Sequence, residues 1–288
     1  MLCPLRLFSL GLAVLLAGCA TASPPPREDA VRVQSFNLRL HVASDGEDAW
    51  PNRVEAAVAI IQQADLVGVQ EALPGMLDDL DARLPGWRRV GVGRQADGGG
   101  EFSALFYRAD RFEVESTDTF WLSETPAVPG SQSWDAALPR ICTWAQLRDR
   151  QSGTVLVLAN THFDHMGLVA RRESAQLLVD RLAEIAGDLP LVLTGDFNVT
   201  PETEPYRVLA SRYRDAYSAS QTPPTGPAGT WNGFGRDEPT RRIDFVFVSD
   251  GLAVRSFETL DGTVGDVLGT DDGRYPSDHF PVQATVAF

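Results

Sequence analysis

The sequence predicts an α/β protein in which two packed β-sheets carry helices on their outer faces. Strand-like segments outnumber helical ones, and the helical segments fall between strands rather than in a block of their own. With 288 residues, 43% of them hydrophobic and 22% charged, the chain can bury a sizeable core without disulfides or a structural metal.

The elements follow in chain order. Arg6 opens a weakly positive start, and Leu7 to Ala17 form an apolar run too short for a membrane-spanning helix. The run ends in Leu16-Ala17-Gly18-Cys19, which resembles a bacterial lipoprotein signal and marks the Cys19 thiol for lipidation. An ordinary signal peptide with a chance cysteine is the plainer alternative. Ala20 in place of an aspartate suggests an outer-membrane destination. Residues 1–18 are thus expected to be a signal peptide, 19–30 a lipidated, proline-rich tether, and 31–288 one domain.

Within that domain Val31 to Asn37 reads as a strand. Asn52 with Glu55 looks like a capping box before the helical spacing of Val54, Ala57, Val58 and Ile61. Leu66 to Gln70 is a strand, and Leu77 to Leu84 lies in a helix. Phe102 to Arg108, Arg111 to Leu122, Cys142 to Asp149 and Val155 to Thr161 read as strands of antiparallel type. Val169 to Ile185 is an amphipathic helix, Leu191 to Thr194 a short buried strand, and Ile243 to Ser249 and Pro281 to Phe288 the last strands. Ser218 to Gly235, rich in proline and glycine, is expected as a long loop near a site. Cys142 has no partner once Cys3 and Cys19 are set aside, so it reads as a small buried hydrophobe rather than a nucleophile.

The net charge of −14 disfavours non-specific nucleic-acid binding, although a bound cation can reverse the local field. Arginine doublets occur at Arg171-Arg172 and Arg241-Arg242, but basic residues are otherwise scattered and form no evident groove.

Polar residues gather where the strands end. Asp196 and Asn198, after Leu191-Val192-Leu193, lie two apart and share a side if the chain stays extended. A carboxylate there can orient and deprotonate a water, with the amide beside it; a turn or a helix cap is the plainer reading. His162 and Asp164 share a face by the same period, next to His165. Asp278 and His279 point in different directions, so both can serve one site. Asp244 opens a strand and can accept from an imidazole, which fixes its tautomer and favours the cation. Glu71 and Asn37 end strands and offer the oxygen donors that a hard cation requires. His41 has no supporting context.

Together Ser35-Phe36-Asn37, Gln70-Glu71, Asn160-Thr161-His162, Gly195-Asp196-Phe197-Asn198, Arg242-Ile243-Asp244 and Ser277-Asp278-His279 resemble, in order, the motifs of the endonuclease/exonuclease/phosphatase superfamily. The resemblance implies a four-layer α/β sandwich, two packed mixed β-sheets flanked by helices. It implies a metal-dependent phosphoester hydrolase using Mg²⁺, with Mn²⁺ as a substitute. Glu71, Asn37 and Asp278 would hold the metal. Asp196 would position the attacking water with Asn198, while His279, paired with Asp244, and His162 would stabilise phosphoryl charge. Phe120-Trp121-Leu122, Ser133-Trp134-Asp135, Thr161-His162-Phe163-Asp164-His165 and Thr230-Trp231-Asn232-Gly233-Phe234 resemble a bacterial secreted lipoprotein branch.

In that branch Arg140, Asp164, His165 and Trp231 are expected to touch substrate. Arg140 reads equally as a surface ion pair, and Trp121 as core. The expected substrate is a small or lipid-linked phosphoester outside the cytoplasm, reached from the periplasmic side of the outer membrane or the cell surface. A secreted nuclease and an inactive surface-binding module are the alternatives.

Overall fold

In a computed structural model the chain is described at Met1 and over residues 30–288. The signal peptide, Cys19 and the tether up to residue 29 lie outside the described residues. Among the described residues no helix is long and apolar enough to cross a membrane.

The elements run β1 (Ala30–Asn37), α1 (Val54–Ile61), β2 (Leu66–Gln70), α2 (Pro74–Arg83), β3 (Trp87–Val90), β4 (Leu105–Arg108), β5 (Phe112–Trp121), β6 (Ile141–Asp149) and β7 (Val155–His162). They continue with α3 (Leu168–Ala186), β8 (Leu191–Asp196), α4 (Glu204–Ala210), β9 (Arg214–Asp215), α5 (Ala216–Ala219), β10 (Asp244–Val248), β11 (Ala253–Thr259), α6 (Val264–Leu268) and β12 (Val282–Ala287). They build two six-stranded sheets, ordered β11-β12-β1-β2-β4-β3 and β5-β6-β7-β8-β10-β9. Each sheet is mixed: β1 pairs parallel with β2 across α1, and β7 parallel with β8 across α3, while the other pairs are antiparallel.

Period-two alternation sorts the side chains into layers. Val31, Val33 and Leu66 of one sheet meet Leu156, Leu158, Val192, Val246 and Val248 of the other in a central core. On the outer face of the first sheet, Phe36, Val67 and Val69 pack under Val54, Ala57 and Ile61 of α1 and Leu77 and Leu80 of α2. On the outer face of the second, Val157, Leu193, Phe245 and Phe247 pack under Ala175, Leu178 and Leu182 of α3. These layers make the helix–sheet–sheet–helix sandwich.

Three local expectations change. Asn52 does not cap α1; it lies in a short 3₁₀ turn and donates to Glu47 O, and Glu55 pairs instead with Arg83. Helix α2 begins at Pro74, whose missing N–H suits a first helical position. Phe102 stands outside β4 and makes isolated bridges to Ala72 and Gly93.

Candidate active site

The same alternation carries Asn37, His162, Asp196 and Asp244 to one end of the sandwich, on the strand faces that look toward the opposite sheet. Just beneath them the two sheets are joined by polar side chains rather than aliphatic ones. Gln70 Nε2 donates to Asn160 Oδ1 (2.6 Å) and Ser35 Oγ (3.1 Å), Thr194 Oγ1 donates to Asn160 Oδ1 (3.1 Å), and Asn160 Nδ2 donates to Val69 O and Ala104 O. Gly68 permits this approach: a Cβ there would stand 2.1 Å from Thr194 Oγ1 and 2.6 Å from Asn160 Oδ1. Motif residues Ser35, Gln70 and Asn160 are therefore internal ties that fix the relative position of the sheets at the site.

Asp196 sits at the centre. Its Oδ2 accepts from Asn37 Nδ2 (3.0 Å) and lies 3.5 Å from His162 Nε2 and 3.8 Å from His279 Nε2; its Oδ1 accepts from Asn198 N (2.9 Å). The chain leaves the strand immediately after Asp196. Asn198 is not extended but left-handed, φ +50°, and the turn directs its side chain to Phe163 O and His162 Nε2. Burial and the Asp244 charge push Asp196 up to about 7, against the opposing pull of His279 and of the hydrogen bonds from Asn198 and Asn37.

The two buried histidines take opposite states. Burial alone would lower His279, but the Asp244 and Asp196 charges and the hydrogen bond to Asp244 raise it well above the ordinary value. Its Nδ1–H donates to Asp244 Oδ2 at 2.9 Å, and Thr230 Oγ1 donates to the same oxygen at 2.6 Å. His162 is lowered well below the ordinary value by burial and by the Arg140, His279 and Arg94 charges. The site thus holds one imidazolium and one neutral imidazole.

Glu71 and Asp278 form the acidic side. Glu71 bends β2 to an end with φ +59°, a left-handed conformation that costs a non-glycine residue about 1–2 kcal/mol. The bend brings Oε1 to Asn37 Nδ2 (3.0 Å) and Oε2 to Leu40 N (2.9 Å). Asp278 is raised by burial and, after the opposing pull of His279, by the Glu71 charge. Two carboxylates that repel one another at the mouth of a buried cluster are a fit for a hard divalent cation. Asn37 presents its nitrogen to Glu71 and Asp196 while its oxygen accepts from Arg39 N, so it links the two carboxylates. Ligand atoms of Asp196, Asp244 and His279 also lie within 4.8 Å of one another, close enough to hold a metal ion. There the imidazole is cationic and bonded to Asp244, so the oxygen pair Glu71 and Asp278 suits a hard cation better.

Basic side chains share the cleft with these acids. The cleft, about 320 Å³, is lined by Arg94, Arg140 and His165 as well as by Glu71, Asp278 and Trp231. Arg94 is buried and held by the partly buried Glu101 (2.5 Å), a pair in a glycine-rich loop that the sequence did not single out. Arg140 is buried, with Nη2 3.0 Å from His165 Nδ1 and Nε 3.4 Å from Asp164. Asp164 does not face the cleft. It is buried beneath it, and its oxygens accept from the N–H groups of Ala137, Leu138, Met166 and Gly167. Burial works to raise it, but those bonds and Arg140 hold it down at about 2. Asp164 therefore positions Arg140 and the loop bearing His165.

Arg53 is a second residue the sequence did not flag. It is fully buried, and its guanidinium donates to Leu38 O, Arg39 O, Asp48 O and Pro276 O, which ties the segment after β1 to the segment before His279. Burial lowers it to about 10. The Ser218 to Gly235 stretch does reach the site: Thr230 and Asn232 bond to Asp244 and to Asp278 O, which places Trp231 on the cleft. Trp121 is buried and donates to Arg94 O at 2.7 Å. Cys142 is buried on β6, and burial pushes its thiol up, as suits packing rather than nucleophilic attack.

A family model described as the Endonuclease/Exonuclease/phosphatase family matches residues 35–279. Among solved structures, a mannosyl-6-phosphatase of Bacteroides thetaiotaomicron VPI-5482 is similar to this chain, with 36% identity, coverage of 90% of this chain and 100% of that one, and a TM-score of 0.84. An endonuclease/exonuclease/phosphatase of Bacteroides vulgatus shares 37% identity over 90% of this chain and 99% of that one, with a TM-score of 0.84. The human nocturnin catalytic domain, solved with a bound sulfate anion, shares the fold at 22% identity and a TM-score of 0.70, over 91% of this chain and 95% of that one. A curated relative, Nocturnin of Drosophila melanogaster, is 28% identical over 65% of this chain; the match spans about a third, 32%, of that protein's length.

Proposed function

The chain belongs to the endonuclease/exonuclease/phosphatase family, and as a metal-dependent phosphoester hydrolase of that family it acts, we propose, on a small phosphoester with Mg²⁺ as its cation. The observation that carries this reading is Asp196: one buried carboxylate, raised to about 7, within 4 Å of a neutral and a cationic imidazole and tied through Asn37 to an acidic pair.

The residues divide the work. Asp196 orients the attacking water and takes up its proton; a group poised near neutrality suits a general base. Asn37 and the Asn198 N–H hold its two oxygens in place. His279, kept cationic by Asp244, faces the charge that develops on the phosphoryl oxygens, and His162 offers a neutral imidazole to the same group. Glu71 and Asp278 would hold the divalent cation, which polarises a phosphoryl or leaving oxygen when bound. Arg140 and Arg94 add guanidinium groups that match a phosphate.

The small size of the cleft and the acidic chain support a small substrate over a nucleic-acid strand. The similarity to a mannosyl-6-phosphatase makes sugar phosphates the first class to assay. The reading places the domain outside the cytoplasm, on the outer membrane or cell surface, tethered by lipid on Cys19; its support is the Leu16 to Cys19 sequence alone.

The test is release of inorganic phosphate from mannose 6-phosphate and p-nitrophenyl phosphate, against bis-p-nitrophenyl phosphate, single-stranded DNA and RNA, with Mg²⁺ or Mn²⁺. Turnover of the small esters well above the polymers is expected. Preferential cleavage of DNA or RNA would favour a secreted nuclease.

A further inference from the structure

The two arginine doublets supply Arg171 and Arg241, neither of which takes part in the site above. Arg171 lies in the first turn of α3 and Arg241 in the segment before β10, yet both line one groove of about 610 Å³ beside the catalytic cleft. Asn198 lines both cavities. Trp231 lines the cleft, while Arg241 stands over its ring at 5.9 Å and lines the groove. The two spaces therefore adjoin along Asn198 and Trp231.

The charges in this groove are unusual for the molecule. The net charge is −14, and most arginines here are matched to a carboxylate. Among the described residues Arg171 and Arg241 have no carboxylate within ion-pair distance. Arg171 gives one N–H to Asp164 O at 2.8 Å, and no hydrogen bond occupies the Arg241 guanidinium. They are close enough that the Arg241 charge, added to burial, lowers Arg171 against the pull of Asp164 and Asp135. Arg172 at the rim is paired with Glu173, and Glu204 is the one carboxylate in the lining. Val169, Val199 and Pro205 supply an apolar wall. Two like charges with no carboxylate in ion-pair contact repel, and an anion placed between them relieves the repulsion and gains charge-assisted hydrogen bonds.

We propose that this groove is a substrate subsite, in which Arg171 and Arg241 bind a second anionic group carried on the leaving-group side of the phosphoester. The inference rests on the phosphoester reading of the adjoining cleft. The shared chemistry is a phosphate or a carboxylate separated from the reacting phosphate by a short polar body. Such a substrate fills the cleft with its reacting group and the larger groove with the remainder.

The experiment is calorimetric titration of the full chain in chelator, where no turnover occurs. The ligands are fructose 6-phosphate, fructose 1,6-bisphosphate and 6-phosphogluconate, the last two supplying a second phosphate and a carboxylate. At least a tenfold lower Kd is expected for one or both doubly anionic ligands, and which of them gains identifies the group preferred. In the double variant Arg171→Gln, Arg241→Gln the advantage should vanish while the Kd for fructose 6-phosphate is unchanged. If the double variant melts early, Arg241→Gln alone, an exposed side chain, should remove part of the advantage. Equal affinities in the wild type, no binding at all, or an advantage retained by a folded variant would overturn the subsite. Absence of phosphate release from all three ligands with Mg²⁺ or Mn²⁺ would count instead against the hydrolase reading, while the binding ratio still decides the subsite.

Discussion

At the scale of single residues, the site depends on groups whose charge is set by their neighbours. His279→Ala removes the imidazolium that Asp244 sustains, and we expect a loss of about 10²–10³-fold in kcat with little change in melting temperature, measured by phosphate release and circular dichroism. Glu71→Gln keeps the shape but withdraws one of the two negative charges of the acidic pair. Its cation requirement should rise at least tenfold; full activity in chelator, by either protein, would remove the metal from the account. Asp164 gives a pH signature of a different kind. Its folded-state carboxyl lies below the unfolded value, so the stabilisation it confers is present above about pH 4 and fades as pH falls toward about 2. Asp164→Asn should therefore be less stable than wild type at pH 7, with the gap closing between pH 4 and pH 2 in thermal melts. Asp196, Asp244, His162 and His279 were legible because each ends or flanks an apolar strand, where period two dictates the facing. The spacing of Asp164 from His162 matches a strand face, and the branch resemblance makes it a substrate contact, but β7 ends at His162 and the following turn sends Asp164 inward. Arg53 and Arg94 left no sign: one stands beside a helix like any surface arginine, and the other lies in a loop without periodicity.

At the scale of elements, the two parallel crossovers β1-α1-β2 and β7-α3-β8 put Asn37 and Glu71 on one sheet opposite His162 and Asp196 on the other. Their register depends on Gly68. Gly68→Ala would drive a methyl into Thr194 and Asn160, and overpacking of this kind costs roughly 1–3 kcal/mol. We expect a lower melting temperature together with reduced turnover, since the displaced ties lie directly beneath the site; a variant as stable and active as wild type would show that the polar layer is dispensable. Most strands were legible from apolar runs and turn residues. Strand β3 was not, because Trp-Arg-Arg-Val is a half-exposed edge whose arginines hide any alternation. Strand β11 was not, because a bulge between Val254 and Ser256 breaks its period of two. The short helices α4, α5 and α6 have too few turns for a periodic signal.

At the scale of the whole molecule, the four layers were implied by the motif order and by helices interspersed among strands, and they leave one polar end where the two sheets meet. On an acidic chain the cleft there gathers Arg94, Arg140 and His165, and the proposed preference for a compact phosphate over a polyanion rests on that local charge. The proposed lipid on Cys19 belongs to the same scale: Cys19→Ser should yield active protein that no longer sediments with membranes, and a variant that still partitions with them would place the anchor elsewhere. Asp196 is the proposed base of the phosphoester hydrolase, and everything else in the site is arranged around it. That role is tested most directly by the initial rate of phosphate release from the best small ester, with Mg²⁺, by wild type and Asp196→Asn proteins of matched melting temperature. A fall of roughly 10²–10⁴-fold is expected, because an amide cannot take up the proton of the attacking water. A folded Asp196→Asn protein with near-wild-type turnover would contradict it.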